Sequence, residues 1–238
     1  MKRAIIVGAS SGIGRELAVI LSQNGYMLGL AGRRLQLLEE LKNSLPGPAF
    51  SKQMDVADQD AAMKGLEEVI DEVGGLDLIV ISAGIGFINP DLGWVEEKQT
   101  IDVNVAGFAA MANVAFRYFV RVGSGHLVGI TSLAALRGSS EAPAYNASKA
   151  FMANYLEGLR NRAIRARLPI VVTDIQPGFV DTVMAKGEGL FWVASPQKAA
   201  AQIYTAIQRK AKRTYVTRRW RLIAWLLKTL PDSLYARL

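Results

Sequence analysis

Short apolar runs alternate along the chain with segments in which apolar residues recur every three or four positions. The short runs predict β-strands, and the periodic segments predict helices between them. The predicted strands cover residues 3–7, 26–31, 49–54, 77–81, 126–131, 169–175 and 214–216. The predicted helices cover residues 13–24, 34–44, 58–72, 95–121, 144–167 and 196–210. This alternation is typical of an α/β fold with a doubly wound parallel sheet and helices on both faces.

Polar and glycine residues follow six successive predicted strands, at the point where each strand ends. In doubly wound, Rossmann-like sheets, ligands bind beyond the carboxyl ends of the strands. The strand ends carry Gly8, Gly32-Arg33-Arg34, Asp55-Val56, Ser82-Ala83-Gly84, Ser132 and Pro177-Gly178. The strands themselves are almost continuously apolar, as expected when both faces of a sheet are buried. We therefore expect one binding site along this edge of a sheet of about seven strands.

The first strand is followed by a glycine-rich turn that leads directly into a helix. The glycines between Gly8 and Gly14 have the spacing Gly-x-x-x-Gly-x-Gly, a variant of the usual dinucleotide fingerprint. Glycines let the backbone approach a pyrophosphate closely, and the amide groups at the helix start point towards it. The turn therefore predicts a dinucleotide site that includes Gly8, Ser10, Ser11, Gly12, Ile13 and Gly14.

The second and third strand ends bear on which dinucleotide binds. NAD sites usually place a carboxylate about 20 residues beyond the glycines, on the ribose hydroxyls. This chain has Gly32 there, followed by Arg33 and Arg34. We therefore predict NADP(H), with Arg33 as the better candidate for the 2′-phosphate. The alternative is NAD, with two solvated arginines at a helix start. Asp55 and Val56 would flank the adenine, unless Asp55 is a simple turn residue.

Three side chains could carry out proton transfer without a metal or a histidine. Tyr145 and Lys149 are four residues apart in the predicted helix 144–167 and would share one face of it. An ammonium group beside a phenol lowers the pKa of the phenol, which suits proton exchange with a carbonyl or alcohol oxygen. Ser132 precedes Tyr145 by thirteen residues. The alternative is an ordinary tyrosine and lysine on a helix surface.

Composition restricts the other classes of chemistry. The 238 residues are 50% hydrophobic, enough for one domain with a sizeable core. There is no cysteine and only one histidine, so we expect neither thiolate chemistry nor a metal site, and His126 is expected in a turn. The apolar run at 4–7 is too short for a secretory signal, and no uncharged run reaches the roughly 18 residues of a spanning helix. We expect a cytoplasmic protein.

The formal net charge of +7 is concentrated towards the end of the sequence. From Gln208 onwards there are nine Lys and Arg residues against one Asp, which is +8, so the remainder carries −1. We divide the chain into a dinucleotide-binding catalytic domain, 1–217, and a basic C-terminal helix, 218–238. The amphipathic pattern at 218–230 predicts a peripheral contact with the inner face of an anionic membrane, or docking on its own domain or on a second subunit. Nucleic-acid binding is not expected, because leucines fill the gaps between the cations.

Together these motifs resemble those of the short-chain dehydrogenase/reductase family, in its compact single-domain form. The resemblance extends over residues 3–216. It rests on the order and spacing of Gly8, Gly12, Gly14, Ala83-Gly84, Asn104, Ser132, Tyr145, Lys149, Pro177-Gly178 and Thr182. One departure is Ser82, where the family often has asparagine, and we expect this serine to change stability more than chemistry.

The resemblance implies that Ser132, Tyr145, Lys149 and Asn104 are the catalytic residues. Tyr145 would be the general acid or base, Lys149 would lower its pKa and hold the nicotinamide ribose, and Ser132 would bind the substrate oxygen. Asn104 would shape its helix and support a water-linked proton path to Lys149. The nicotinamide end of the cofactor would be bound by Ala83, Gly84, Pro177, Gly178, Val180 and Thr182. The implied activity is NADPH-dependent reduction of a ketone or an aldehyde.

The substrate and the assembly are less strongly indicated. Residues 183–195 would form a lid, and its apolar residues suggest a small apolar substrate; they are Leu190, Phe191, Trp192 and Val193, together with Ile85, Phe87 and Leu133. We expect a homodimer or homotetramer through helices 95–121 and 144–167, whose small residues Ala106, Gly107, Ala109, Ala110, Ala153 and Gly158 permit close packing. The alternative functions are an NADP-linked alcohol dehydrogenase working in the oxidative direction and a non-catalytic NADP-binding sensor or scaffold.

Overall fold

The computed structural model describes residues 1–182 and 191–235, and these residues contain one seven-stranded sheet. The strands are β1 (Lys2–Val7), β2 (Tyr26–Gly32), β3 (Ala49–Gln53), β4 (Leu78–Ile81), β5 (Gly125–Ile130), β6 (Ile170–Pro177) and β7 (Arg213–Val216). All neighbouring strands are parallel, in the order β3-β2-β1-β4-β5-β6-β7. The seven predicted strands and the doubly wound fold are therefore confirmed.

The helices agree with the sequence pattern except at 95–121 and in the C-terminal segment 218–238, where two helices stand in place of the one predicted. They are α1 (Gly12–Gln23), α2 (Leu35–Ser44), α3 (Gln59–Glu72), α4 (Trp94–Ile101), α5 (Phe108–Val122), α6 (Pro143–Arg165), α7 (Pro196–Gln208), α8 (Trp220–Thr229) and the short α9 (Asp232–Tyr235). A π-helical turn (Asp102–Gly107) separates α4 from α5, so the single helix predicted at 95–121 is interrupted. A 3₁₀ turn (Leu133–Leu136), which the sequence pattern did not predict, follows β5.

Each face of the sheet has its own hydrophobic core. The first core packs under α1, α2 and α7 and includes Leu17, Leu38 and Ile203, all fully buried. The second core packs under α3, α5 and α6 and includes Phe108 and Leu156. Because both faces are covered, polar chemistry is restricted to the edges of the sheet, where the loops leave the strands.

The helical run from Trp94 to Val122, which comprises α4, the π-turn and α5, is strongly apolar. Within the described part of the chain it is the one helix whose length and composition would allow it to cross a membrane, with a mean hydropathy of 1.3. In the same window 56% of the residues are buried inside the protein. Phe108, Met111 and Phe119 are among them and pack on the sheet. Its apolar character is therefore explained by core packing.

The C-terminal helix α8 docks on its own domain. Trp220 and Ala224 keep only 4% and 1% of their surface exposed and pack with Leu133 of the 3₁₀ turn. The opposite face of α8 is open to solvent, with Leu222 69% and Trp225 68% exposed. The short α9 is held to the same surface by the ion pair between Arg137 and Asp232, at 2.7 Å, and by a hydrogen bond from the Tyr235 hydroxyl to the Gly138 carbonyl. Of the alternatives for residues 218–230, docking on the domain is the one that these contacts favour.

His126 lies within β5 and not in the turn expected from the sequence. Its Nε2 atom is 2.8 Å from Thr173 Oγ1, and the Thr173 hydroxyl donates to the Ala211 carbonyl at 2.6 Å. The hydroxyl has one proton, which is used on Ala211, so Nε2 of His126 must be the donor. Burial and the nearby Lys210 lower the pKa of His126 to about 4.

This depressed pKa predicts that the protein loses stability in mild acid. Between pH 6.5, the ordinary pKa of histidine, and about 4, the unfolded chain binds a proton at His126 that the folded chain does not. The unfolding free energy should therefore fall as pH decreases through this window, by up to roughly 3 kcal/mol. Urea unfolding of the wild type and of His126→Gln at several pH values measures the effect, and the variant should lose less stability. Equal losses in the two proteins would show that His126 contributes nothing.

Candidate active site

The strand order reverses between β1 and β4, and the loops after these two strands touch. The amides of Ser82 and Ala83 both donate to the Val7 carbonyl at 2.8 Å. Gly8 has a φ of 92°, and a Cβ at this position would lie 2.5 Å from the Ala83 nitrogen. Glycine is therefore needed at position 8 both for the backbone conformation and for the close contact. A crevice at such a reversal is where doubly wound sheets bind their ligands.

The glycine turn has the properties of an anion cradle. A Cβ on Gly14 would overlap the Gly8 carbonyl oxygen, so the turn is as tight as the sequence predicted. The first turn of α1 has no acidic side chain, and in the described structure the side chain of Ser11, the N-cap residue, does not cap the helix. The amide groups at the start of α1 are thus available to an external anion. These residues fit the pyrophosphate of a dinucleotide.

Two arginines follow β2 beside this turn. The Arg34 guanidinium donates to Ser10 Oγ at 2.9 Å and to Ser11 Oγ at 2.7 Å. Arg33 is also exposed, and its carbonyl accepts from Gln53 Nε2 at 3.1 Å. A side chain at Gly32 would point towards Ser10, because a Cβ there would lie 3.7 Å from Ser10 Oγ. Positive charge therefore borders the glycine turn on the side where the sequence placed the 2′-phosphate.

The segment after β6 returns to the same turn. The Gly178 amide donates to the Val216 carbonyl at 2.6 Å, which ties Pro177-Gly178 to the end of β7. Val180 is buried and pairs with Ala194 in an isolated parallel bridge. The methyl group of Thr182 would be 3.1 Å from a Cβ on Gly12. The predicted binding residues from the first and the sixth strand ends are thus brought into contact. Ile13 is partly buried and packs against the hydrophobic core under α1, α2 and α7.

Tyr145 stands in the first turn of α6, beside Ser132 and next to the loop after β4. A Cβ on Gly86 would come within 2.7 Å of the Tyr145 ring, so the backbone at Gly86 lies flat against it. Burial raises the pKa of Tyr145, and the hydrogen bond with Ser132 offsets part of that rise. The sequence predicted the opposite direction, with Lys149 as the cause. In the structure, desolvation of the phenolate is the larger effect.

Lys149 is buried one turn further along α6. Its Nζ lies 5.7 Å from the centre of the Tyr145 ring and donates to the Ile130 carbonyl at 3.3 Å. Burial lowers the pKa of Lys149 to about 8. The ammonium is also close to Gly84, where a Cβ would be 3.2 Å from Nζ. Lys149 therefore reaches from the tyrosine to the loop after β4, and its charge is sensitive to pH in the physiological range.

Asn104 occupies the π-helical turn and connects three elements. Its Oδ1 accepts from the Ile85 amide at 2.9 Å, and its Nδ2 donates to the Ile85 carbonyl at 2.7 Å and to Ser148 Oγ at 3.0 Å. Ser148 Oγ in turn donates to the Tyr145 carbonyl at 2.7 Å. Asn104 is completely buried, so the loop after β4 and the start of α6 are held together by these bonds. π-Helical turns are frequent at functional sites, where they redirect individual side chains.

Asp55 and Val56 are placed differently from the binding residues above. Asp55 is exposed, and its carboxylate accepts from the Ala57 amide at 3.0 Å, which is the turn role that the sequence left open. The Val56 side chain is buried in the core below α3. Gly107 of the π-turn packs on the Val56 backbone. An adenine contact at this strand end would therefore be made by the backbone and by Asp55 more than by the valine side chain.

Three further residues, which no sequence motif assigns to the site, contact residues of it. Gly86 lies against the Tyr145 ring, Ser148 links Asn104 to the start of α6, and Trp220 lies against Gly178. Ser148 lies between Tyr145 and Lys149 in the sequence, and this position next to two predicted site residues is the signal that could have identified it. The contact of Trp220 gave no signal in the sequence, because it joins positions that are 42 residues apart, from 178 to 220.

The surroundings of Ser132 are apolar. Leu133 is buried directly beside it, and Ile85 and Phe87 are partly exposed on the loop after β4. Of the lid predicted at 183–195, residues 183–190, which include Leu190, lie outside the described residues. Phe191, Trp192 and Val193 are described and are 39–49% exposed. Among residues 1–182 and 191–235, no three His, Asp or Glu side chains form a group that could hold a metal ion.

Comparison with known proteins gives one consistent result. The family model for short chain dehydrogenase matches residues 2–190. An uncharacterised oxidoreductase of Myxococcus xanthus is 39% identical over 186 residues, which is 75% of this chain and 72% of that protein. A short-chain dehydrogenase from Streptomyces avermitilis has a similar structure over 100% of this chain and 95% of that one, with a TM-score of 0.83 and 25% identity. An NADPH-dependent 3-quinuclidinone reductase from Rhodotorula rubra is similar over 90% and 89%, with a TM-score of 0.78 and 25% identity.

Proposed function

The chain belongs to the short-chain dehydrogenase family and is an NAD(P)-dependent oxidoreductase, and we propose that it uses NADPH to reduce the carbonyl group of a small, apolar ketone or aldehyde. The observation that carries this proposal is the meeting of Tyr145, Ser132 and Lys149 at the sheet edge that also holds the glycine turn. A similar fold is found in a reductase that depends on NADPH.

Each residue of the candidate site has its own role in the proposed reaction. The bound nicotinamide cofactor supplies the hydride, and the protein supplies a proton and a place for the substrate. Tyr145 holds the proton on its phenolic oxygen and gives it to the substrate oxygen. Ser132 donates a hydrogen bond to that same oxygen, and Lys149 stabilises the phenolate that remains. Asn104 keeps the loop after β4 and the start of α6 in register, so that these groups face one crevice.

The protonation state of Tyr145 suits the proposed role of an acid. Burial raises the pKa of Tyr145, so its hydroxyl is protonated at neutral pH and ready to donate. Donation is required for reduction of a carbonyl, whereas oxidation of an alcohol requires the phenolate as a base. The same hydroxyl serves as acid in one direction and as base in the other, so an NADP-linked alcohol dehydrogenase stays the alternative, which an assay of NADP⁺ reduction with alcohols tests. The complete proton-transfer group argues against the alternative of a non-catalytic sensor or scaffold.

The preference for NADPH rests on Arg33 and Arg34. Replacing either arginine by alanine should weaken NADPH binding about 10- to 100-fold, because a charge-assisted bond to the 2′-phosphate is lost. NADH binding should hardly change, since NADH has no phosphate there. Fluorescence titration with both nucleotides measures the two affinities. Arg209→Ala, which removes an exposed arginine after α7, is the matched control. An equal loss of affinity for both nucleotides would contradict the role of these arginines.

A screen of NADPH consumption tests the activity itself. Purified protein is mixed with NADPH and, one at a time, with aldehydes, ketones, quinones, keto-sugars and acyl carbonyls, and the absorbance of NADPH is followed. We expect consumption that depends on the carbonyl compound and is fastest with apolar members of the panel. If NADPH binds but none of the carbonyls accelerates its loss, the sensor or scaffold alternative is favoured and the reductase is rejected.

The prediction of a homodimer or homotetramer concerns the outer faces of α5 and α6. Val120, Val122 and Ile164 are 44–61% exposed there, and Gly158 has open space around it. Gly107, Ala110 and Ala153 are already buried within one chain, so they would add little to an interface. We propose a homodimer or homotetramer through these helices, which sedimentation of the purified protein would test. The comparisons lend no support to a membrane contact of residues 218–230, and that contact is not part of the proposed function.

A further inference from the structure

Four aromatic side chains pack around one another where the chain leaves β6 and where α8 begins. The Trp220 ring is their centre, with centroid distances of 5.4 Å to Phe179, 5.1 Å to Phe191 and 5.7 Å to Trp192. The Arg219 guanidinium lies 4.9 Å from the Trp192 ring. The first turn of α8 is thus attached to both described ends of the segment that follows Pro177.

Trp220 also touches two parts of the candidate active site. On one side it packs with Leu133, the residue directly after Ser132. On another side its indole lies against Gly178, so closely that a Cβ on Gly178 would overlap the ring. The substrate side and the nicotinamide side of the site therefore share this one side chain as a support.

The indole nitrogen of Trp220 is buried without a hydrogen-bond partner. Among the described residues, four buried side-chain polar atoms lack a partner, and three of them belong to Gln176, Thr217 and Trp220. Thr217 precedes Trp220 by one turn, and the Trp220 amide donates to the Thr217 carbonyl at 3.0 Å. Buried donors in folded proteins nearly always have a partner, so the Trp220 indole is held in its place by packing and not by a hydrogen bond of its own.

We propose that Trp220 is a positioning residue for the nicotinamide half of the cofactor. Its ring packs on Gly178 on one side and on Leu133 on the other, and so fixes the backbone at the strand end where the nicotinamide is expected. This inference rests on the proposed function, because it requires a nicotinamide dinucleotide in the crevice. It makes α8, which lies beyond the matched residues 2–190, a part of the binding site.

Binding of NADPH and of 2′,5′-ADP separates this role from a general effect on folding. The second molecule contains the adenine half with its 2′-phosphate and lacks the nicotinamide. Trp220→Ala should raise the Kd for NADPH about tenfold and leave the Kd for 2′,5′-ADP within about twofold of the wild type. Trp220→Phe retains a smaller ring for packing on Gly178 and Leu133, and should show a smaller loss in the same direction. If the alanine variant does not fold, the phenylalanine variant decides the question.

Trp225→Ala is the matched control, since Trp225 is on the same helix and 68% exposed. It should bind both molecules like the wild type. An unchanged Kd for NADPH in the Trp220 variants would overturn the proposal, and so would an equal rise for NADPH and 2′,5′-ADP.

A second substitution gives an independent readout of the contact with Gly178. Gly178→Ala alone should weaken NADPH binding, because the added methyl group displaces the indole or the loop. In the Trp220→Ala background the same change should cost much less, which a double-mutant cycle measures as coupling. Additive effects would refute the contact. The proposed function fails in a different way, namely when the wild type itself does not bind NADPH or does not reduce any carbonyl.

Discussion

Turnover of carbonyl substrates should fall by about 10²- to 10⁴-fold when Tyr145 is replaced by phenylalanine, because that is the usual contribution of a positioned general acid. The substitution removes one oxygen atom and leaves the ring that packs against Gly86. The affinity for NADPH, measured by fluorescence titration, should therefore change little. Single-turnover measurements with excess enzyme would show that the loss lies in the chemical step and not in product release.

Tyr155→Phe is the matched control for this experiment. Tyr155 is on the same helix α6, and its ring packs edge-on against Phe108 and stacks on Phe151. The loss of that hydroxyl should leave turnover close to the wild-type value. Normal turnover in Tyr145→Phe would remove the tyrosine from the mechanism and with it the assignment of the acid.

The second large effect is expected at Lys149. Replacing it by methionine, which has a similar length and no charge, should reduce turnover about 100-fold, because the phenolate left by proton transfer loses its stabilising cation. In the wild type the same cation disappears as pH rises above about 8, the lowered pKa of Lys149. The rate of reduction should therefore be level below this pH and decline above it. In Lys149→Met the decline should be absent.

Stability distinguishes this role of Lys149 from a structural one. The pKa of the lysine is lowered from 10.5 in the unfolded chain to about 8 in the folded protein, so the unfolded chain binds more protons between these values. The unfolding free energy of the wild type should accordingly increase as pH rises from about 8 to 10.5. At neutral pH the methionine variant should be the more stable protein, since it buries no charge. A variant that is both inactive and less stable would indicate a structural role.

The sequence was sufficient to predict the layout of the fold and the edge at which the site lies. Apolar runs identify strands that are buried on both faces, and parallel strands bring their carboxyl ends to one side. Gly8, Ser132 and Pro177 could therefore be placed near one another, although they are far apart along the chain. Their roles remain proposals, but their proximity depends only on topology.

Other features depend on contacts that leave no local pattern. The periodicity of residues 95–121 is that of a continuous helix, and the π-turn at Asn104 arises from bonds to the distant Ile85 and Ser148. The direction of the pKa shift of Tyr145 depends on how much of the phenol is desolvated, which the distance to Lys149 along the helix does not determine. Trp220 lies within the amphipathic pattern at 218–230, and its contact with Gly178 depends on how the helix docks.

Because of the π-turn between α4 and α5, the number of residues in this helical run determines the direction in which Asn104 points. An α-helix rotates by about 100° per residue, so the loss of a single residue between Asn104 and α5, from 105–107, would turn everything before it by that angle relative to α5. The shortened run would be a more regular helix, yet the Asn104 amide would face away from Ile85. A regular α-helix and the hydrogen bonds of Asn104 are therefore incompatible at this point. A redesign that made the helix regular would remove the bonds that align the start of α6 with the loop after β4.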